Sequence, residues 1–501
     1  MTMISPPAPT PFENSLSITG VLRSPDVLVR ETLAGLVTAL ALIPEVISFS
    51  FISGVDPKVA LVASIVLGLV MSALGGRTAM VTAAAGSIAL VIGPMVKAHG
   101  VGYILPTIII AGLVQIVFGA TGLARMMRFV PRSVMIGFVN ALGILIFCAQ
   151  LPHIINVPWL VYPLFVLSVA IILIVPRFTL AVPAPLIAIV VVTAIVMIGN
   201  LVVPNVGSEG SMAPGLPGIT PFSVPLTLET LRIVWPTALS VAFVGLLETL
   251  LTAKLVDDLT NTRSNKTRES WALGIANIAA GFYGGIAGCA MIGQTVVNVK
   301  IGRARTRLST VVAALALLLL VTGLSGLMAQ IPMVALAAVM MIVAIKTVNW
   351  HSVSPATLKR MPLPETIVMA VTVAVTVATG NLAIGVAVGV VVAMILFARR
   401  VAHVIRAERT LSLDGQSVRY DVHGPLFFGS SNDLVERFSY GDDPRSVAID
   451  LTHSQIWDAS SVAALDSIAT KYRELGASVT FTGLDPRSSA FHARLTGQLG
   501  A

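Results

Sequence analysis

Charge is what this sequence has least of. Only 11% of its 501 residues are Asp, Glu, Lys or Arg, against roughly a quarter in soluble domains. Mean hydropathy is +0.90, which excludes an ordinary water-soluble globular protein. Cysteine is nearly absent. Cys148 and Cys289 both fall inside apolar runs, so no disulfide framework is expected. His99, His153 and His351 sit near the ends of apolar runs without metal-ligand company, and no Ser, Cys or His falls in a nucleophile arrangement. Enzymatic chemistry, a bound metal and a cofactor are therefore not expected. The first 25 residues are Pro-rich, contain Glu13 and lack an apolar run with a cleavage site, so no removable signal peptide is expected.

What is present is a series of long apolar runs. About 14 of them lie between residues 30 and 400, each read as a membrane helix of about 20 residues. The formal charge of +8 reflects topology rather than nucleic-acid binding. One set of loops carries Arg77, Arg125, Arg128, Arg132, Arg177, Lys254, Arg263, Lys266, Arg268, Lys300, Arg303, Arg305, Arg307, Lys346, Lys359, Arg360, Arg399 and Arg400; the opposite set carries only Lys58, Lys97 and Arg232. The positive-inside rule then places both termini in the cytoplasm. The Pro- and Gly-rich loop NLVVPNVGSEGSMAPGLPGITPFSVP (200–225) has no Lys or Arg and belongs outside. It divides the runs into seven plus seven, and an odd number per half inverts the second half relative to the first. Inverted repeats are a common build for secondary carriers.

The stretch LALIPEVISFSF (40–51) places Glu45 near mid-span, and VAFVGLLETLLTAKL places Glu248 there in the eighth run. These are the first runs of the two halves. A charge at that depth costs at least ~2.5 kcal/mol, so each acid must face protein or water or be protonated. A proton- or ion-coupling role is the reading for both. The third run, GGRTAMVTAAAGSIALVIG, begins with a strand-like lead-in over Thr78–Thr82. The tenth, GGIAGCAMIGQTVVNVK, begins with a glycine-rich extended one. Both are read as half-helices meeting head to head near the midplane, where first-turn N–H groups and positive dipole ends make an anion site. After Arg400 the pattern changes to alternating strand and helix (SVRYDVHGPLFF, SVAIDLTH, SVTFTGL, with SSNDLVERFSY and SSVAALDSIATKYRELG between). This reads as a small cytoplasmic α/β domain. The expected parts are a cytoplasmic segment 1–29, a membrane domain 30–400, a connector 401–412 and the α/β domain 413–501.

These residues resemble the SulP anion transporters, which include sulfate permeases, bicarbonate carriers and prestin. AGLVTALALIPEVISFSFISGVDPKVAL is similar to the family's first two segments, FVPRSVMIGFVNALGILIF to its fifth and NIAAGFYGGIAGCAMIGQTVVNVKIGRARTRLS to its tenth; the soluble tail resembles a STAS domain. The resemblance implies an all-α polytopic fold of 14 spans in a 7+7 inverted repeat, with half-helices in segments 3 and 10. It implies a core of segments 1–4 and 8–11 moving elevator-like against a gate of segments 5–7 and 12–14, and a homodimer in the bilayer. Its anion site maps onto Glu45, Phe49, Ala85, Gly86, Ser87, Met291, Ile292, Gly293 and Gln294. Three departures bear on mechanism. Thr82-Ala83-Ala84-Ala85-Gly86 keeps only the last glycine of the family's Ser-Gly-Pro-Thr-Gly. Gln294 stands where many members have Arg. Glu45 stands where animal members carry Gln.

The expected function is therefore secondary transport of a small anion (a carboxylate or dicarboxylate, bicarbonate or sulfate) in a bacterial inner membrane. H⁺ is the expected co-ion through Glu45 and Glu248, with Na⁺ left open. In the tail, Ala459 follows Asp458 where related antagonists carry a phosphorylatable Ser, so a docking or folding role, with a cytoplasmic protein as candidate partner, replaces a phosphoswitch. Two alternatives are a proton-coupled nucleobase carrier of the same fold and a non-transporting sensor that signals through the tail.

Overall fold

The computed structural model describes residues 24–123, 130–178, 182–402 (excluding 211, 213, 214, 216, 217 and 226) and 405–498. Arg125, Arg128 and most of the expected segment 1–29 lie outside the described residues. Fourteen principal helices run from residue 25 to residue 402: α1 (Pro25–Ser53), α2 (Pro57–Leu74), α3 (Gly86–His99), α4 (Ile104–Ala120), α5 (Arg132–Gln150), α6 (Val161–Ile174), α7 (Ala184–Ile198), α8 (Leu228–Thr260), α9 (Lys266–Gly281), α10 (Ile292–Val296, continued as a π-helical turn to Ile301), α11 (Leu308–Gly323), α12 (Met333–Thr347), α13 (Leu363–Thr379) and α14 (Leu382–Ala402). Two short strands, β1 (Thr82–Ala84) and β2 (Gly288–Ala290), precede α3 and α10.

Local sequence explains the boundaries. Pro25 and Pro57 open α1 and α2 at positions where the missing N–H costs nothing, and Gly54 closes α1 in the left-handed region at φ 73°. Several elements differ from the sequence reading. α1 begins at Pro25 rather than 30, and α8 spans 33 residues, well beyond the length of about 20 read for each run. Among the described residues, six helical stretches are long and apolar enough to cross a membrane unaided, and five more apolar ones have 10–17 residues, so not every run reaches 20. Proline and glycine cut the runs short: α3 stops at Gly100, and α12 starts only after Pro332. The strand before α3 occupies Thr82–Ala84, not Thr78–Thr82, because Ala79 turns the chain at φ 58°. The loop 200–225 contains a helical turn, Val206–Glu209, pinned by Val206 N–H to Ile331 and by Met333 N–H to the Pro204 carbonyl.

Helices pack in recurring pairs. α4 lies on α9 as α11 lies on α2; α1 lies on α11 as α8 lies on α4; α5 lies on α13 as α12 lies on α6. Close approach at these crossings needs small residues. A Cβ on Gly137 of α5 would sit 2.8 Å from Thr372 of α13, and one on Gly112 of α4 would sit 2.5 Å from Ile278 of α9.

The second unit is an α/β domain with a four-stranded sheet in the order β3-β4-β5-β6, formed by Arg406–Leu411, Ser417–Leu426, Ser446–Ile456 and Ser478–Thr482. β3 pairs antiparallel with β4 and the other pairs are parallel, with α15 (Ser431–Glu436) and α16 (Ala459–Glu474) as crossovers and α17 (Pro486–Leu495) last. The connector expected over 401–412 thus contains the edge strand. That strand is exposed along nearly its whole length, so it carries no alternating apolar pattern to read. Asp458 caps α16 by accepting from Ser461 N–H and Oγ, and Ser461 is buried rather than solvated.

Tyr420, Ile449, Leu465 and Tyr472 form the core. Beside it the enclosed carboxylate of Asp443 accepts from the hydroxyls of Tyr420 (2.6 Å) and Tyr472 (2.5 Å) and from Arg409 Nε (2.8 Å). Asp443→Leu leaves two buried hydroxyls without an acceptor. It is expected to destabilise this domain by about 3 kcal/mol, measured by hydrogen exchange of β4 amides in the full chain. Unchanged protection would remove the network from the domain's stability.

Candidate functional site

A chain that leaves helical conformation at membrane depth must find partners for every peptide group it exposes. β1 and β2 do so first by pairing with each other, antiparallel, Thr82 opposite Ala290 and Ala84 opposite Gly288. Their outer edges are then satisfied by side chains from neighbouring helices. Ser64 Oγ accepts from Ala84 N–H (3.1 Å), Asn277 Oδ1 from Gly288 N–H (2.8 Å), Thr249 Oγ1 from Ala290 N–H (3.1 Å) and Thr295 Oγ1 from Val81 N–H (3.0 Å). Thr252 Oγ1 donates to the Ala290 carbonyl (3.2 Å) and to its own helix at Glu248 (2.8 Å). Asn277 is itself held by Gln115 (2.9 Å). The antiparallel ladder places the first turns of α3 and α10 at opposite ends of three residue pairs, so the two helices leave it in opposite directions.

A cavity of about 570 Å³ opens beside these tips. Eight of the nine residues expected at the anion site line it: Glu45, Phe49, Gly86, Ser87, Met291, Ile292, Gly293 and Gln294, with Glu248 beside them. Ala85 does not. It is the buried residue that caps α3 in extended conformation, with its side chain in the protein interior. The opposite wall comes from α5, α6 and α12, through Phe138, Leu142, Ile172 and Val339.

The two acids are held differently. Glu45 follows Pro44, which interrupts the backbone ladder of α1, and its half-buried carboxyl group faces the cavity beside the Gln294 side chain. Glu248 is buried and accepts from Ser87 Oγ at the tip of α3 and from Cys289 Sγ (3.0 Å) on β2. Glu248 therefore ties its own helix to the tip of α3 and to β2. Sequence reasoning missed Cys289, Ser64, Thr249, Thr252, Asn277 and Thr295. Hydroxyl and amide groups inside apolar runs were the available signal, because such groups need partners in the membrane.

Strand-led half-helices over a shared cavity, in a bundle of apolar helices with an appended α/β domain, define a polytopic membrane transporter with an accessory domain. The chain belongs to the sulfate permease family, whose profile matches residues 28–163 and 155–372, and the STAS domain profile matches 409–496. YbaR of Bacillus subtilis (strain 168), provisionally named a sulfate transporter, is 46% identical over 92% of this chain and 95% of its own length. The bicarbonate transporter BicA of a Picosynechococcus species is 28% identical over 64% of this chain and 63% of its own. Among solved structures, the transmembrane domain of a cyanobacterial BicA matches with a TM-score of 0.64 at 24% identity, covering 72% of this chain and 97% of that one. The murine anion transporter Solute Carrier 26 family member A9 matches with 0.79 at 15%, covering 99% and 92%. These two likenesses concern the fold. The curated relatives are transporters, not enzymes.

The two tip glycines have different surroundings. A Cβ on Gly86 would lie 2.5 Å from the Phe49 ring, whereas one on Gly293 meets nothing within 4 Å. Gly86→Ala is expected to cost about 1–3 kcal/mol by overpacking, and Gly293→Ala to stay within about 1 kcal/mol of the parent. Thermal unfolding of the full chain measures both, and equal losses would contradict this geometry.

Proposed function

We propose that this protein is a secondary active carrier that moves a small anion together with a proton. The single observation that carries the reading is the convergence of Glu45, Gln294 and the tips of α3 and α10 on one cavity. First-turn amides have no intrahelical acceptor and carry the positive end of the helix dipole, so they suit an anion. A carboxylate beside that anion repels it unless protonated. Binding of the anion therefore favours the protonated form of Glu45, and the two travel together. Glu248, held by Ser87 and Cys289, is the second group through which the site senses a proton.

The recurrence of three packed pairs at an offset of seven helices supports a 7+7 repeat, and an odd offset inverts it. α1–α4 with α8–α11 act as the moving core and α5–α7 with α12–α14 as the gate, in an elevator-like exchange. Sulfate and bicarbonate are the substrates named for relatives, and small carboxylates and dicarboxylates fit the same charge logic. No group of three or more His, Cys, Asp or Glu side chains gathers as a cation site among the described residues. The Thr252 hydroxyl, four residues after Glu248, is engaged with Ala290. Both observations favour H⁺ over Na⁺ as co-ion. The excess of Lys and Arg in one set of loops supports a cytoplasmic side for both termini; a bacterial inner membrane and a homodimer are the location and assembly we assign.

Glu45→Gln keeps the side chain's size and the partner Gln294 but cannot release a proton. It is expected to abolish pH-gradient-driven uptake in proteoliposomes while leaving counterflow of the same labelled anion measurable. The measurement compares uptake of labelled sulfate, bicarbonate and succinate with and without an imposed pH gradient. Uptake that keeps its pH dependence in this variant would remove Glu45 from the coupling role.

A further inference from the structure

Among the described residues, three with formal charge line the cavity: Glu45, Glu248 and Lys346. Lys346 lies in the last turn of α12 and is exposed. Val339, Val343, Lys346 and Thr347 all line the cavity, a spacing that puts them on one face of the helix. At 1.5 Å per residue, the stretch from Val339 to Lys346 runs roughly 10 Å along the wall. The lysine thus stands at the mouth end of a wall whose other end is apolar.

Three basic residues near these helix ends are engaged within the protein. Arg77 pairs with Asp257 (3.1 Å), as does Lys266 (2.9 Å), and Arg307 donates to the carbonyls of Ser72 (2.6 Å) and Gly75 (2.5 Å). Among the described residues, no carboxylate pairs with Lys346. A lysine that only marked topology would be equally served by facing the lipid headgroups. This one faces the cavity, in which Gln294 supplies no cation at the tip of α10.

We propose that Lys346 is the cationic capture residue of the anion path: it draws the anion into the cavity from the side on which α12 ends and holds it before it reaches the tips of α3 and α10. The inference rests on the carrier reading above and adds the residue that sets affinity and its salt dependence. Low-dielectric walls focus the field of a lone charge and raise the local concentration of the opposite ion. Added salt screens that field. A compact ammonium accepts sulfate, bicarbonate or a carboxylate without demanding bidentate geometry, so selectivity among them remains with the tips.

The test is equilibrium binding of labelled sulfate, bicarbonate and succinate to the solubilised full chain at fixed pH, over a range of ionic strength. Lys346→Gln is expected to weaken binding by about tenfold and to flatten the dependence of affinity on salt. Lys346→Arg, which keeps the charge, is expected to stay within about twofold of the parent. Unchanged affinity and salt slope in Lys346→Gln overturns the inference, as does an Arg variant as weak as the Gln variant, which would mean that lysine shape rather than charge matters. Because binding is read without a pH gradient, this outcome is independent of Glu45. Loss of coupling in the parent protein would sink the carrier reading and leave the lysine result standing, whereas a parent that binds none of the three anions overturns both.

Discussion

Everything at the centre of this molecule depends on keeping two extended segments hydrogen-bonded where water is absent. β1 and β2 satisfy each other across three residue pairs, but a two-stranded ribbon has two open edges, and an open edge at membrane depth is prohibitive. Ser64, Thr249, Asn277 and Thr295 close those edges from α2, α8, α9 and α10. Because the supporting groups come from four different helices, the ribbon also fixes how those helices sit around it. The half-helix tips then inherit their positions from the ribbon, and the cavity inherits its polar floor from the tips.

The same economy governs the two acids. A carboxylate in the bilayer is tolerated when donors surround it. Glu248 finds them on α3 and β2, and Glu45 stands at the cavity beside Gln294 of α10. The groups that make the acids tolerable are those of the proposed anion site, so stability and function draw on one set of bonds. Elsewhere, buried carboxylates serve structure alone. Glu31 accepts from the amides of Arg305 (2.7 Å) and Thr306 (3.2 Å), and Glu269 accepts from Gly76 (2.5 Å) and Arg77 (2.8 Å). Glu269 lies in the first turn of α9 and Glu31 in the second turn of α1, where they close the loops that flank the half-helix segments. Position within the run therefore separates a closing acid from a site acid: Glu45 and Glu248 sit mid-helix beside the cavity.

Much of this was legible in the residues themselves. Sustained apolar runs demand helices, since only helices satisfy their backbone internally in lipid, and α2, α4, α5 and α14 follow the runs closely. The small-residue stretches before α3 and α10 also carried their meaning, as did the rarity of Glu45 and Glu248. The helix ends were less legible. α8 continues past the apolar run because polar residues such as Lys254 and Asp258, both well exposed, extend a helix beyond the membrane without breaking its pattern. β3 escaped notice because an exposed edge strand has no buried face to impose alternation.

The sequence by itself determined that the chain would be a membrane bundle with an α/β tail and that two runs would be broken, because composition and periodicity act locally. Only the tertiary structure decided which polar groups would meet: that Glu248 would face Ser87 and Cys289, that Ala85 would turn inward while its neighbours line the cavity, and that Lys346 would look into that cavity rather than at the lipid surface. Those outcomes depend on contacts between residues distant in the chain, 161 positions for Glu248 and Ser87, and no spacing along a single run encodes which face of one helix will be opposite which tip of another.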